Sequence, residues 1–247
     1  MWIGLVTLFP ETFAPDALSG VFGRAVRAGH LTIECANPRD FVADKHRTID
    51  DKPYGGGAGM VMQAAPLAAA VADLKERGPS GLPVVMLSPA GRVFKQAKAQ
   101  ALSESSGAIF ICGRYEGVDQ RFLDSVVDEL WSVGDFVLSG GEMAALIIMD
   151  AAARHIPGVL GNFQSNLDES HLDGTLEYPQ YTRPEKYLNM EVPEALLSGD
   201  HKRINSYRRR EALIATFNDR PDLMTQRVFS ESDRKLLESY FDEIDHA

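Results

Sequence analysis

Short runs of apolar, β-branched and aromatic residues alternate with helical segments through the first part of this 247-residue chain. Trp2 to Phe9, Leu31 to Ala36, Pro83 to Leu87 and Ala108 to Cys112 each have the length and composition of a buried strand. Between them lie segments such as the alanine-rich Pro66 to Arg77, which is typical of a helix. The alternation predicts an α/β fold with a mainly parallel sheet flanked by helices. Such sheets bind ligands beyond the carboxyl ends of their strands.

Two glycine-containing segments are candidates for a ligand site at that edge. Gly113 to Gly117 carries charged residues directly after a predicted strand. Ser139 to Glu142 has the Ser-x-x-Glu spacing of a capping box before the apolar run Met143 to Met149, which predicts a helix capped by Ser139. Gly140 and Gly141 would then lie in the first turn of this helix, where a ligand can approach backbone amides that lack intrahelical partners.

The acidic balance of the chain restricts how it could bind nucleic acid. A net charge of -10 disfavours nonspecific coating of nucleic acid, so an RNA contact needs a local basic patch. The run His201 to Arg210 has five Lys or Arg residues and no acid. Lys202 and Arg203 recur seven residues later as Arg209 and Arg210, on one predicted helical face. This face is either a solvated helix surface or a phosphate contact.

Cysteine, histidine and hydropathy patterns indicate which compartment and which metal chemistry to expect. The two cysteines form no CxxC, and the six histidines have no metal-ligand spacing, so we expect neither a disulfide framework nor a protein metal site. No apolar run approaches the roughly 20 residues of a membrane span. We expect a cytoplasmic protein that has no membrane contact.

Several motifs, in order along nearly the whole chain, resemble one family. They are WIGLVTLFPE, PRDF, PYGGGAGM, CGRYEG, WSVGDFVLSGGE, IPGVLG, YTRP and LLSG. In this order and at these spacings they resemble the bacterial tRNA (guanine-N1)-methyltransferase (TrmD) family, which belongs to the trefoil-knot (SPOUT) superfamily. A chance match to one motif is common, but a match to an ordered set of this length is not.

The resemblance implies a fold and an activity that periodicity alone does not predict. It implies a deep trefoil knot, where sequence reasoning alone would draw an unknotted sheet. It also implies a homodimer that transfers a methyl group from S-adenosylmethionine to N1 of the guanine immediately 3′ of the tRNA anticodon. The expected organisation is a cofactor-binding domain (1–160), a linker (161–175) and a small, mostly helical tRNA-binding domain (176–247). The family is associated with magnesium, which is therefore a possible cofactor.

The resemblance also assigns roles to residues. Glu169 is the implied general base, with Asp168 as the fallback, and Arg154 is the implied catalytic cation. The family usually has Asp at position 169, so the base is one methylene longer here. Lys202, Arg203, Arg209 and Arg210 are the expected RNA contacts. The implied S-adenosylmethionine contacts are Leu87, Ser88, Pro89, Gly113, Tyr115, Glu116, Ser132, Val133, Gly134, Asp135, Phe136, Val137, Leu138, Gly140 and Gly141.

Other classes of function remain open at this point. A noncatalytic RNA-binding protein could retain the same knotted fold, and an unrelated nucleotide-binding enzyme could share the α/β pattern. The first strand is not followed by GxGxxG, which disfavours a nicotinamide or flavin enzyme. Arg154 could instead complement a helix dipole, and the glycine run after Tyr54 could be a surface loop.

Overall fold

The computed structural model describes residues 1–161, 169–225 and 227–246. The chain divides into two compact units, Met1–Phe163 and Gln164–Ala247. Among the described residues, no helix is both long enough and apolar enough to cross a membrane.

The first unit is built on a parallel sheet. Its strands in chain order are β1 (Trp2–Val6), β2 (Thr32–Ala36), β3 (Asp50–Asp51), β4 (Val61–Met62), β5 (Val84–Val93), β6 (Gly107–Cys112) and β7 (Glu129–Ser132). Five of the described strands form the sheet, in the order β2-β1-β6-β5-β7, and every pairing in it is parallel. The short strands β3 and β4 form a separate antiparallel pair. The predicted α/β fold with a parallel sheet is confirmed.

Helices cover both faces of this sheet. They are α1 (Gly20–Arg27), α2 (Ala64–Arg77), α3 (Gln96–Glu104), α4 (Gln120–Val126) and α5 (Gly141–Ala153). Side chains of a strand alternate between its two faces. Ile3 and Leu5 therefore join one core with residues of α1, α3 and α5, whereas Trp2 and Val6 join a second core with residues of α2 and α4. The central strand β6 is buried along its whole length, as its apolar sequence predicts.

Strand β5 differs from its prediction. The sequence predicted a strand that ends at Leu87, with Pro89 and Gly91 as turn residues after it, but the strand continues to Val93. Leu87 and Arg92 both pair with Trp131, so the four residues between them form an excursion from the ladder. Gly91 lies so close to the neighbouring strand that an added Cβ would be 2.5 Å from the backbone of Trp131. Sheet pairing beyond the excursion thus overrides the local turn signal of Pro and Gly.

The second unit is mostly helical. It contains the two-stranded pair β8 (Lys186–Tyr187) and β9 (Met190–Glu191), then α6 (Glu194–Leu197), α7 (His201–Asp219), α8 (Pro221–Met224) and α9 (Glu231–Asp245). Asp200 caps α7 by accepting hydrogen bonds from the backbone amides of Lys202 and Arg203, as expected of an aspartate directly before a helix.

Candidate functional site

A cavity of about 300 Å³ lies at the carboxyl edge of the sheet in the first unit. Three strands that are neighbours in the sheet, β6, β5 and β7, deliver the loops that form it. Of the fifteen residues predicted to contact the cofactor, all except Asp135 line this cavity, within the described part of the unit. The structure therefore brings together residues that are spread over 55 positions, from Leu87 to Gly141.

Sequence reasoning missed six of the residues that line the cavity. Arg114 and Ser139 lay inside the motifs CGRYEG and LSGGE, and both motifs had been singled out. Gly117 closes the first of these motifs, whereas Met86, Trp131 and Ala144 are apolar residues beside predicted contacts. The residues missed are Met86, Arg114, Gly117, Trp131, Ser139 and Ala144.

Trp131 forms part of the apolar wall of the cavity, and two residues that do not line the cavity, Lys98 and Glu129, contact its ring. The indole Nε1 donates a hydrogen bond to Glu129 Oε2 at 2.9 Å, which lowers the pKa of Glu129. The ammonium group of Lys98 lies over the ring, 4.7 Å from its centre, and also pairs with Glu129. The ring thus has a fixed orientation, which suits a wall that packs against a flat ligand group.

The turn from Arg114 to Gly117 has a strained backbone. Tyr115 has φ +59°, in the left-handed region that a residue with a Cβ rarely adopts. The amide of Glu116 donates to the carbonyl of Met60 at 3.0 Å, and this bond holds the turn against the glycine-rich loop. A Cβ on Gly59 would lie 2.3 Å from Glu116 Oε1. Gly59 also has φ +81°, so any residue with a Cβ would be strained at this position within PYGGGAGM.

Ser139 does not cap α5, contrary to the prediction. Gly140 occupies the cap position, and among the described residues no side chain bonds to the first amides of this helix. Glu142, the expected capping-box partner, is instead buried and accepts a hydrogen bond from Thr7 Oγ1 at 2.8 Å. Tertiary partners thus replace the local capping box.

The charge of Glu142 also affects the neighbouring Cys112. Burial raises the pKa of the Cys112 thiol well above its usual range, and the negative charge of Glu142 raises that pKa further.

The two glycines at the start of α5 are required by protein packing. A Cβ on Gly141 would lie 2.6 Å from Cys112 Cα, and one on Gly140 would lie 2.2 Å from Arg114 Nε. The amide of Gly141 already donates to the carbonyl of Gly113 at 3.1 Å. Both glycines line the cavity, and they also let the helix approach β6 closely.

Arg154 lies at the opposite end of α5 from the cavity. It is the C-cap residue, where its charge complements the helix dipole. Thirteen residues separate it from Gly141, which corresponds to about 20 Å along the helix axis. The structure of one chain therefore does not bring Arg154 to the predicted cofactor contacts on α5.

Glu169 lines a separate cavity of about 370 Å³ in the second unit. The guanidinium of Arg208 lies over the ring of Tyr178, 4.9 Å from its centre, and both residues line the same cavity. Asp168, the fallback base, lies outside the described residues. The further lining residues are Asp173, Thr175, Leu176, Glu177, Asn205, Arg209 and Ala212.

The segment that follows Glu169 is held in place by charge. Asp173 accepts hydrogen bonds from the backbone and hydroxyl of Thr175 and pairs with Arg209 at 2.6 Å. Burial alone would raise the pKa of Asp173, but the bonds from Thr175 and Arg209 outweigh it and hold that pKa well below the usual range. The amide of Leu176 donates to Thr216 Oγ1 of α7 at 2.8 Å. Asp173, near the end of the predicted linker, and Leu176, just after it, are thus both bonded to α7.

The predicted basic face of α7 divides into two pairs. Lys202 and Arg203 are exposed, and Arg203 lies 3.7 Å from Glu194. Arg209 is bonded to Asp173 and Asp233, and Arg210 is paired with Glu211 and Glu243. The four predicted RNA contacts therefore differ in their surroundings, because carboxylates of the same unit already pair with Arg209 and Arg210.

No group of three or more His, Cys, Asp or Glu side chains is placed to hold a metal ion in the part of the chain that the structure describes. The residues present therefore do not fit a magnesium site built from protein ligands alone.

Comparison with known proteins gives one consistent result. The family described as tRNA (Guanine-1)-methyltransferase TrmD matches residues 1–226. Three similar relatives are each named tRNA (guanine-N(1)-)-methyltransferase. The relative from Pseudoalteromonas atlantica is 46% identical over 98% of this chain and 92% of its own. The relative from Vibrio vulnificus is 46% identical over 100% of this chain and 99% of its own. The relative from Pseudomonas paraeruginosa is 47% identical over 97% of this chain and 96% of its own.

Proposed function

The chain belongs to the tRNA (guanine-1)-methyltransferase TrmD family, and on that premise we propose that it transfers a methyl group from S-adenosylmethionine to N1 of the guanine immediately 3′ of the tRNA anticodon. Family membership implies that the loops at the carboxyl edge of the sheet form a trefoil knot. The observation that carries the proposal is the cavity at this edge, lined by fourteen of the fifteen expected contacts.

The residues of this cavity suit the proposed methyl donor. Adenine is flat, and Leu87, Trp131 and Ala144 provide apolar surface for it. Glu116 also lines the cavity and supplies an acid, which suits the cationic amino and sulfonium groups of the donor. The donor supplies an electrophilic methyl group on sulfur; the protein supplies binding, orientation and a base.

The chemistry requires a base because N1 of guanine carries a proton at neutral pH. We assign this role to Glu169, whose carboxylate takes the N1 proton as the N1–methyl bond forms and the methyl–sulfur bond breaks. The products are N1-methylguanine, S-adenosylhomocysteine and one proton, held at first on Glu169. Negative charge shifts toward guanine O6 in this step, and the Arg154 guanidinium stabilises it.

We propose that the protein works as a homodimer in which a second copy of the chain brings its Arg154 to the cavity. The separation of about 20 Å along α5 between Arg154 and Gly141 of one chain supports this arrangement. An apolar stripe that includes Met143 and Ile147, one turn apart on α5 and each at least half exposed, fits an interface between copies. Phe136 and Val137, which line the cavity, are also exposed apolar residues.

The second unit is the proposed tRNA-binding domain, with Lys202 and Arg203 as phosphate contacts. Both side chains are exposed at the start of α7, so they reach an RNA backbone without first breaking buried ion pairs. Because a protein ligand set is absent from the described residues, a magnesium requirement would reflect ions bound by the tRNA or the donor.

Single-turnover methylation tests the proposal. The protein is mixed with labelled S-adenosylmethionine and a tRNA transcript that has guanine next to the anticodon, and with a matched transcript that has adenine there. We expect label in the first transcript only, and a stop in reverse transcription at that guanine, because an N1-methyl group blocks base pairing. Binding of both transcripts without transfer would instead support a noncatalytic RNA-binding protein.

The base assignment predicts the effect of Glu169→Gln. A well-placed general base contributes about 10² to 10⁴ in rate, so the single-turnover rate should fall by that factor while affinity for S-adenosylmethionine changes little. Glu169→Asp is the matched control and should retain most activity. Unchanged rates in the Gln variant would move the assignment to Asp168.

A mixed dimer tests the shared site. Arg154→Ala and Glu169→Gln chains are inactive alone in this scheme, but one heterodimer carries one intact pair of Arg154 and Glu169. Mixing them should restore activity toward half of the wild-type rate per heterodimer. If the mixture stayed as inactive as its parents, both residues would act within one chain or not at all.

A further inference from the structure

Glu142 is a buried acid in the first unit that takes no part in the chemistry proposed above. Only 3% of the residue is exposed, and a buried carboxylate is costly unless it is paired and hydrogen-bonded. Its Oε1 accepts a hydrogen bond from Thr7 Oγ1 at 2.8 Å, and that hydroxyl oxygen accepts in turn from the amide of Phe9 at 3.0 Å. The carboxylate thus connects the first turn of α5 to the carboxyl end of β1.

The other carboxylate oxygen of Glu142 faces Arg114. Oε2 lies 2.9 Å from Arg114 Nη2, while Nη1 donates to the carbonyl of Ser139 at 3.2 Å. The guanidinium lies over the ring of Phe9, 4.4 Å from its centre. Arg114 Nε and Glu142 Oε2 are both buried atoms without a hydrogen-bond partner among the described residues, so charge attraction rather than an aligned hydrogen bond joins the two side chains. The planar cation is therefore held by an anion, a carbonyl and an aromatic face.

These contacts determine the position of one wall of the cavity. Arg114, Ser139, Gly140 and Gly141 line it, whereas Glu142 does not appear among the described lining residues. Gly140 packs directly on Arg114, since a Cβ there would lie 2.2 Å from Nε. The guanidinium thus contacts both the carbonyl of Ser139 and the backbone at the start of α5.

We propose that Glu142 is a positioning residue for the methyl donor: with Thr7, it holds Arg114 so that the wall from Ser139 to Gly141 is already in its binding conformation. The inference rests on the proposed function, because it takes the cavity as the S-adenosylmethionine site. Without the carboxylate charge, Arg114 and the wall adopt further conformations, and the apparent Kd rises as the binding-competent fraction falls.

Calorimetric titration with S-adenosylmethionine tests this in the full-length protein. Glu142→Gln keeps the shape and the oxygen that accepts from Thr7 but removes the charge. We expect Kd and KM for S-adenosylmethionine to rise about 10-fold, while the single-turnover rate at saturating donor and the affinity for tRNA stay within about 2-fold. The matched control is Glu34→Gln, which neutralises an ion pair with Arg77 in the same unit, away from the cavity lining; its Kd should equal that of the wild type.

Outcomes of the titration separate this inference from the proposed function. Wild-type protein that bound no S-adenosylmethionine would overturn both. If the Glu142→Gln variant bound S-adenosylmethionine as tightly as the wild type, the positioning role alone would be overturned. The same holds if the variant lost affinity for the donor and for tRNA by the same factor. If Glu142→Gln does not fold, Thr7→Val decides: it keeps the ion pair, removes one anchor of the carboxylate, and should still raise the donor Kd about 3-fold.

Discussion

Arg209 provides the sharpest test of how the structure divides the basic residues of α7. Its Nε and Nη2 donate to the two oxygens of Asp233 at 2.7 and 3.0 Å, and Nη1 pairs with Asp173 at 2.6 Å. Asp233 is 4% exposed. Arg209→Met keeps much of the apolar stem of the side chain but removes its charge. The buried carboxylate of Asp233 would then have only Arg227, 3.7 Å away, as a partner that partly replaces Arg209.

The magnitude follows from burial. Breaking a buried ion pair by removing one partner costs about 3 to 5 kcal/mol. The side chain of Arg209 is 29% exposed, and Arg227 retains part of the compensation, so we expect the lower end, about 3 kcal/mol of unfolding free energy. Lys202→Ala, at an exposed position, should change stability by less than about 0.5 kcal/mol.

Urea unfolding followed by far-UV circular dichroism measures the difference, because both tryptophans, Trp2 and Trp131, lie in the first unit and do not report on α7. The double variant Arg209→Met/Asp233→Asn should lose less than Arg209→Met alone, because it no longer buries an uncompensated charge. In parallel, Lys202→Ala should flatten the salt dependence of tRNA binding by about one unit of slope. The division of α7 into structural and RNA-contacting residues would be refuted by the opposite pattern. In that pattern, Arg209→Met would keep its stability and flatten the salt dependence of tRNA binding, whereas Lys202→Ala would leave that dependence unchanged.

Two further predictions concern packing and pH. Gly141→Ala should lower the unfolding free energy by about 1 to 3 kcal/mol, since its Cβ meets the backbone of Cys112. Gly113→Ala meets only the end of the Met86 side chain within 3 Å and should cost less than about 1 kcal/mol. Urea unfolding followed by the fluorescence of Trp2 and Trp131, which both lie in the first unit, measures the two costs. The hydrogen bonds from Arg209 lower the pKa of Asp233 below its ordinary 3.8, so its stabilising contribution is complete above the unfolded-state pKa and is lost as the pH falls through the lower folded-state pKa. Asp233→Asn should therefore flatten the decline of unfolding free energy below about pH 4, and an unchanged slope would contradict the pairing.

The sequence by itself determined the features that depend on near neighbours along the chain. The apolar runs of β1, β2 and β6 predicted a parallel α/β sheet, and parallel strands place their following loops at one edge. That geometry is sufficient to bring fourteen expected contacts around one cavity. The cap at Asp200 was predictable for the same reason, because an aspartate that bonds to amides two and three residues ahead needs no distant partner.

Other outcomes were decided by tertiary structure because the partners are distant in sequence. The capping-box pattern at Ser139 predicted a local bond, but Glu142 bonds with Thr7, 135 positions away. Likewise, helical periodicity places Arg209 on the same face as Lys202 and does not distinguish the two. The carboxylates that bind Arg209 belong to residues 36 positions before it and 24 positions after it. A buried charge must be paired wherever the fold supplies a partner. Burial, which only the folded chain establishes, therefore decides which charged side chains stabilise the protein and which remain on its surface.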